Sequence, residues 1–92
     1  MISTTKLIEL LADKFPNAWF KEGEGFADGY ERAVWTGEGS YMDKDSVVEM
    51  FDSYDMGENY EFGAHVKLCR FVEKHGYYVE CYDNGTFFIW PE

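Results

Sequence analysis

The 92-residue chain is long enough for one small domain, and we expect residues 1–92 to fold as a single unit. Apolar residues make up 46% of it and aromatic residues 20%, which excludes a disordered chain. Eighteen acidic residues against eight Lys and Arg give a net charge of −10, which argues against direct binding to duplex DNA because phosphate contacts need clustered basic side chains.

The N-terminal segment predicts an amphipathic helix. Ser3 is a favourable N-cap, apolar residues recur at helical spacing from Leu7 to Phe15, and Pro16 ends the pattern. The apolar run over residues 7–11 contains Glu9 and is too short to span a bilayer. We therefore expect no signal peptide, no membrane segment and a cytoplasmic location.

Two short strands and a second helix are predicted next. The strands cover residues 18–20 and 30–35, with a glycine-containing loop between them. The helix covers residues 47–54, is capped by Asp43 or Asp45, and ends near Gly57. A spacing of three would place its acidic residues in one ridge on the solvent side. These residues are Glu49, Asp52 and Asp55.

A third helix is predicted over residues 60–74, and Gly76 suits the position that follows its end. The last element is a β-hairpin, because Asn84-Gly85 between two apolar runs favours a type I′ turn, in which both central residues need positive φ. That turn would pair Cys81 with Phe88. The chain is therefore predicted to be α+β, with about three helices and a small antiparallel sheet that includes the C-terminal hairpin.

The pairing predicts two faces for the hairpin. The face expected to pack on the helices carries Tyr77, Val79, Cys81, Phe88 and Trp90. The opposite face carries Tyr78, Glu80, Tyr82, Phe87 and Ile89. This second face is either covered by the first helix or left exposed as a binding surface.

The residue types that support catalysis or metal binding do not form a recognisable pattern. Four potential zinc ligands occur, but the paired Cys spacing of zinc sites is missing, and both cysteines are expected to be reduced apolar residues. The four are His65, Cys69, His75 and Cys81. Cys69 is expected to face the core, where a thiol is inert. We therefore expect no metal, no cofactor and no enzymatic activity.

The excess negative charge is concentrated in the middle of the chain. Residues 22–61 contain twelve acidic residues against Arg32 and Lys44, a net of −10, while the two ends are nearly neutral. This segregation favours an acidic surface that binds a basic partner over uniform solubilisation. The predicted partner-binding residues are Glu22, Glu24, Asp28, Tyr30, Glu31, Trp35, Glu49, Asp52 and Asp55. Tyr41, Tyr54 and Tyr60 are further candidate anchors.

The short acidic chain, its aromatic content and the block over residues 22–61 resemble phage-encoded inhibitors of bacterial defence. In particular, the chain resembles anti-CRISPR proteins that act on type I surveillance complexes of the Cascade kind. The resemblance implies a non-enzymatic inhibitor that works in the cytoplasm of an infected bacterium. It further implies that target DNA recognition is blocked by contacts to basic subunits or to the bound guide RNA, and in the second case Lys67, Arg70 and Lys74 gain importance.

Two other functions stay open at this stage. A small adaptor or regulatory protein would bind its protein partner through the second hairpin face, with Phe87 and Ile89 in contact. An enzyme or metal protein would instead use His65 with the cysteines.

Overall fold

The computed structural model describes residues 2–55 and 57–92, and in that part of the chain it has two α-helices and eight short strands. The helices are α1 (Thr4–Lys14) and α2 (Val66–Glu73). The strands are β1 (Lys21–Glu22), β2 (Val34–Thr36), β3 (Ser40–Asp43), β4 (Ser46–Glu49), β5 (Tyr60–Glu61), β6 (Ala64–His65), β7 (Tyr77–Asp83) and β8 (Thr86–Pro91). The fold is α+β, but the prediction of about three helices is wrong.

Four strands form one antiparallel sheet in the order β1-β2-β8-β7. The C-terminal hairpin supplies one inner strand of this sheet and one edge, and the short strands β1 and β2 complete it. Strands β3 and β4 form a separate hairpin, as do β5 and β6.

Both faces of the four-stranded sheet are covered. Phe87 and Phe88 are neighbours in β8, so their side chains point to opposite faces, and both are fully buried. We call the Phe87 side the helix face, because α1 and α2 pack there. We call the Phe88 side the loop face, because the segment between β1 and β2 covers it: the Phe26 and Tyr30 rings lie 4.9 and 4.6 Å from the Phe88 ring. The core of the helix face contains Leu7, Leu11, Phe15, Val34, Met50, Leu68, Val72, Tyr77 and Ile89.

The segment predicted as the second helix forms a strand and an irregular connection instead. Residues 46–49 form β4, where Val47 and Val48 are β-branched and suit a strand. The chain then turns inward, and the Phe51 ring stacks on that of Phe87 at 4.4 Å. Packing against the sheet therefore overrides an apolar spacing that also suits a helix.

The helix predicted over residues 60–74 begins only at Val66. The hairpin of β5 and β6 precedes it, joined by Phe62 and Gly63 at φ 52° and 90°, the positive values that a type I′ turn requires. His65 is the N-cap of α2: its Nδ1 atom accepts a hydrogen bond of 3.1 Å from the Lys67 N–H.

The C-terminal hairpin forms, but its turn and register differ from the prediction. Neither Asn84 nor Gly85 is among the residues that the structure places at positive φ, so their turn is not of type I′. An irregularity between Cys81 and Asp83 shifts the pairing by one residue and places Cys81 opposite Phe87. Phe87 and Ile89 therefore lie on the helix face, and Phe88 and Trp90 lie on the loop face.

The two predicted early strands are displaced. The segment over residues 18–20 makes only an isolated bridge from Ala18 to Gly39, and β1 follows it. Of residues 30–35, only the last two belong to β2, because the residues before them are used to cover the loop face.

Candidate functional site

The acidic block of the sequence is divided between the two faces of the sheet. Glu24, Asp28 and Glu31 belong to the segment that covers Phe88 on the loop face. Asp52 follows Phe51, which stacks on Phe87 on the helix face. A layer packs about 10 Å from the face of a sheet that it covers, so groups in the layers on opposite faces are separated by more than the Debye length of about 8 Å at physiological salt. The two groups of carboxylates therefore act as separate surfaces.

Two of the predicted carboxylates, one on each face of the sheet, are partly used to hold the structure. Glu22 accepts a 3.2 Å hydrogen bond from the Thr5 hydroxyl of α1. Glu31 accepts one of 3.0 Å from the Gly29 N–H, and this backbone bond is the main cause that lowers the pKa of Glu31. Glu24 and Asp28 are exposed.

The two aromatic residues predicted beside them pack within the protein. Tyr30 and Trp35 are half-buried, and both contact Phe26. The Lys21 ammonium lies 5.5 Å from the Trp35 ring, a cation–π contact that covers it further. These rings are therefore part of the layer that closes the loop face.

A second group of predicted residues does come together, around Tyr60. The Tyr60 hydroxyl donates a 2.7 Å hydrogen bond to the backbone carbonyl of Glu49. Burial is the first cause that raises the pKa of Tyr60, and the charges of Asp52, Asp55 and Glu49 add to it. We call Glu49, Asp52, Asp55 and Tyr60 the Tyr60 cluster.

Backbone turns hold two carboxylates of the Tyr60 cluster in place. Asp52 accepts a 3.0 Å hydrogen bond from the Tyr54 N–H, and Asp55 accepts one of 2.7 Å from the Gly57 N–H. The predicted ridge on a helix is thus wrong in its structural basis, although its three acidic residues are neighbours.

Two aromatic side chains project from the same region. Phe62 is 89% exposed and Tyr54 is 83% exposed, the highest values among the large apolar residues that the structure describes. Phe62 also has positive φ, which is unfavourable for a bulky residue. An exposed ring held in a strained turn is the kind of feature that functional sites retain.

Phe62 separates two adjoining grooves on the surface. The larger has a volume of about 450 Å³ and also contacts Asp55 and Tyr60 of the Tyr60 cluster. The smaller has a volume of about 290 Å³ and follows β7 from Tyr78 to Cys81. The sequence does not single out Phe62, because this residue falls within the helix predicted over residues 60–74.

The basic side chains lie elsewhere. The sequence contains no Lys or Arg between Lys44 and Lys67. Four basic residues surround Phe71 at a shallow groove of about 340 Å³ beside α2, and one of them, Arg70, pairs with Glu61 and Glu73. The four are Lys14, Lys67, Arg70 and Lys74. The charge asymmetry of the sequence is therefore also an asymmetry in space.

The groups considered for metal binding or catalysis have structural partners. His65 is buried, and its two ring nitrogens contact the Lys67 N–H and, at 3.1 Å, the Tyr41 hydroxyl. Burial raises the pKa of Cys69 to about 11, and burial with nearby carboxylates raises that of Cys81. Within residues 2–55 and 57–92, no three His, Cys, Asp or Glu side chains are grouped so that they could hold a metal ion.

Comparison with known proteins returns no match: no protein family fits the sequence, and no curated protein or solved structure is significantly similar. Among the described residues, no helix is both long enough and apolar enough to cross a membrane.

Proposed function

We propose that the protein is a non-enzymatic inhibitor that binds the basic, nucleic-acid-binding surface of a bacterial defence complex and blocks its recognition of target DNA. The proposed place of action is the cytoplasm of an infected bacterium, and the proposed target is a type I surveillance complex. The observation that carries the proposal is the pairing of the Tyr60 cluster with two exposed aromatic side chains, Tyr54 and Phe62.

The two parts of this surface have different tasks. Carboxylates on a partner-facing surface raise the rate of association with a basic groove, and this increase becomes smaller as the salt concentration rises. Exposed aromatic rings supply affinity, because burying them in a partner's pocket removes a large apolar area from water. Phe62 and Tyr54 project beyond carboxylates that no Lys or Arg within residues 45–66 neutralises.

The basic groove beside α2 is the part of the protein suited to a guide RNA contact. Lys67 and Lys74 are exposed there, and their ammonium groups lie 4.8 and 4.9 Å from the rings of Tyr41 and Phe71. Arg70 is less available, since two carboxylates already pair with it. We include a contact between this groove and the bound guide RNA as a secondary part of the proposal.

The adaptor alternative loses its predicted surface. It depended on Phe87 and Ile89 being exposed on the second hairpin face, and both are fully buried on the helix face. The reason is that both faces of the sheet are covered, and the register shift at Tyr82 only decides that these two side chains lie on the helix face.

The test compares two pairs of charge-removing variants against a purified type I surveillance complex loaded with guide RNA. Asp52→Asn with Asp55→Asn removes two charges from the Tyr60 cluster but keeps the oxygen atoms that accept the turn hydrogen bonds. Glu24→Gln with Asp28→Asn removes two charges from the loop face. Inhibition of target DNA binding is measured by gel shift, and the association and dissociation rates of the protein with the complex are measured by surface plasmon resonance, each at low and high salt.

The expected result is that the Tyr60-cluster pair slows association by about three- to tenfold at low salt, while the loop-face pair has little effect. Phe62→Ala should raise the dissociation rate instead, by roughly tenfold or more if the ring is a central anchor. Equal inhibition by the wild type and the Tyr60-cluster pair would refute the electrostatic account. Absence of binding by the wild type would refute the target.

A further inference from the structure

One edge of the four-stranded sheet is open. Strand β7 lies at the end of the order β1-β2-β8-β7, and β8 is its only strand partner among the described residues. An edge strand presents unpaired N–H and C=O groups along its outer side, which another strand can bind.

The alternation of hydrogen bonds in the hairpin determines which residues of β7 present unpaired N–H and C=O groups on the outer side. The Glu92 N–H donates to the Gly76 carbonyl at 2.9 Å, so these two residues form a hydrogen-bonded pair at the start of the ladder. Such pairs alternate with non-hydrogen-bonded ones in an antiparallel sheet. Tyr78 and Glu80 are therefore bonded to β8, whereas the backbone groups of Val79 and Cys81 point away from it.

Outside the strand ladders, no hydrogen bond in the described parts of the chain involves the backbone N–H or C=O of Val79 or Cys81. The groove of about 290 Å³ follows this edge, and Phe62 forms its far wall. The side chain of Cys81 is exposed, so the edge is open to solvent at that point. The edge is thus a backbone-lined groove with an aromatic wall.

The charges beside the edge determine what it can accept. The carboxylates of Asp83 and Glu80 act on the thiol of Cys81, and Asp55 lines the larger groove on the other side of Phe62. A second copy of this chain would bring the same carboxylates and another net charge of −10 to the edge. A segment that carries Lys or Arg complements it.

The pleat of β7 indicates the pattern of that segment. Successive side chains of an added strand point to opposite faces of the sheet. Those on the loop face meet Tyr78 and the Glu80 carboxylate, which suits Lys or Arg. The side chains of the added strand that point to the helix face meet the side chains of Phe62 and Cys81, a position that suits an apolar residue.

We propose that the outer edge of β7 binds an extended segment of the partner, in which Lys or Arg alternates with apolar residues, as a fifth strand of the sheet. This inference rests on the proposed function, because the segment belongs to the same basic partner that the Tyr60 cluster attracts. It adds the mode of binding: backbone hydrogen bonds to Val79 and Cys81, with an apolar side chain against Phe62.

The first experiment uses the wild-type protein and a short synthetic peptide that alternates lysine with valine. Two further peptides have the same sequence but carry methyl groups on backbone amide nitrogens. In one peptide the lysine amides are methylated, and in the other the valine amides are methylated. Only one edge of a bound strand faces β7, so one methylated peptide should lose binding by about tenfold or more and the other should keep it. Hydrogen exchange at the Val79 and Cys81 amides should slow in the bound state and stay fast in the free state.

The second experiment changes the edge itself. Cys81→Pro removes an N–H that is not used within the sheet and places a ring at the outer edge, whereas Cys81→Ser keeps the N–H. Cys81→Pro should lower the affinity for the peptide by about tenfold or more, and Cys81→Ser should bind the peptide as tightly as the wild type. If Cys81→Pro does not fold, the N-methylated peptides still decide the matter.

Four results would overturn the inference. Equal binding of both methylated peptides would show that charge alone holds the peptide, and unchanged exchange at Val79 and Cys81 would place it elsewhere. A concentration-dependent dimer that protects the same amides without peptide would make a second copy the occupant. If Cys81→Pro still inhibits the surveillance complex while the Asp52→Asn and Asp55→Asn pair does not, strand addition is refuted and the proposed function stands. If the Asp52→Asn and Asp55→Asn pair still inhibits while Cys81→Pro does not, the electrostatic account is refuted instead.

Discussion

The strained turn at Phe62 gives a prediction in which stability and binding move in opposite directions. We expect Phe62→Asn to stabilise the protein, because Asn accepts the left-handed conformation more easily and Asn-Gly is the favoured pair for a type I′ turn. The same change removes the exposed ring that the proposed function uses as an anchor. Binding to the partner should therefore fall while the fold becomes more stable.

The magnitude follows from two opposing terms. A left-handed conformation costs about 1–2 kcal/mol for an ordinary residue. The Phe62 side chain is 89% exposed, so only about a tenth of its area is removed from water by the fold, which is worth roughly 0.5 kcal/mol. The net gain is about 1 kcal/mol in the free energy of unfolding. For a domain of this size that corresponds to a rise in Tm of roughly 4–8 °C.

The assay is urea unfolding followed by fluorescence, with Phe62→Ala as the matched control. Ala also removes the ring but keeps the conformational strain, so it should be slightly less stable than the wild type. The difference between Asn and Ala isolates the strain and should be about 1–2 kcal/mol. If the two variants unfold at the same urea concentration, the turn is not strained and the reasoning is wrong.

Two further predictions concern the neighbours of this turn. Gly63→Ala should lower the free energy of unfolding by about 1–3 kcal/mol in the same urea assay. The reason is that Gly63 has φ 90° and that a Cβ there would lie 3.2 Å from the Phe87 ring. The control is Gly25→Ala, which should be close to neutral because the atom nearest to its Cβ is 3.9 Å away. Burial, with repulsion from Lys67, lowers the pKa of His65 below 6.5 despite the opposing charge of Asp43, so the folded state binds its proton less readily than the unfolded state. The His65 contribution to stability should be complete above pH 6.5 and decrease as the pH falls below that value, and His65→Asn, which keeps a side-chain acceptor for the cap, should remove this part of the pH dependence.

The elements with strong local signals are those that the sequence predicts well. The structure places α1 over Thr4–Lys14, with Ser3 as its N-cap through a 3.1 Å hydrogen bond from the Lys6 N–H. Its start and end depend on neighbouring residues alone, namely a serine cap and Pro16. The later part of the helix predicted over residues 60–74 is likewise correct, since the residues from Val66 onward have a regular apolar face.

The missed elements are those in which a distant contact decides the conformation. Val47 and Val48 fit both a helix and a strand by spacing, and pairing with β3 selects the strand. Phe62 was an ordinary apolar position in a helical pattern, and nothing local to Phe62-Gly63 is as strong as the Asn-Gly signal at residues 84 and 85. The structure places the positive φ angles of a type I′ turn at Phe62-Gly63, which has the weaker sequence signal, because the pairing of β5 with β6 requires a two-residue turn there.

The register of the C-terminal hairpin decides which face of the sheet each side chain of β8 occupies. One extra residue at the irregularity between Cys81 and Asp83 exchanges the faces of every later residue in β8 relative to the prediction. The shift places Phe87 and Ile89 on the helix face, and because both faces of the sheet are covered, the surface of the adaptor alternative is absent in either register. An irregularity of this kind leaves no composition signal, since Tyr82 suits a regular strand as well as a bulge.

The charge segregation of the sequence has a physical meaning only after the fold is known. Residues 22–61 form one acidic block in sequence, but the sheet passes between Glu24 and Asp52, so a flat basic surface can meet only one of the two groups at a time. On the loop face the carboxylates lie beside aromatic rings that are already packed, whereas on the other side the Tyr60 cluster lies beside Phe62 and the open edge of β7. Attraction by charge, apolar anchoring and free backbone groups therefore coincide at one place. That coincidence is the reason we propose the Tyr60 cluster as the binding surface and the loop-face carboxylates as its control.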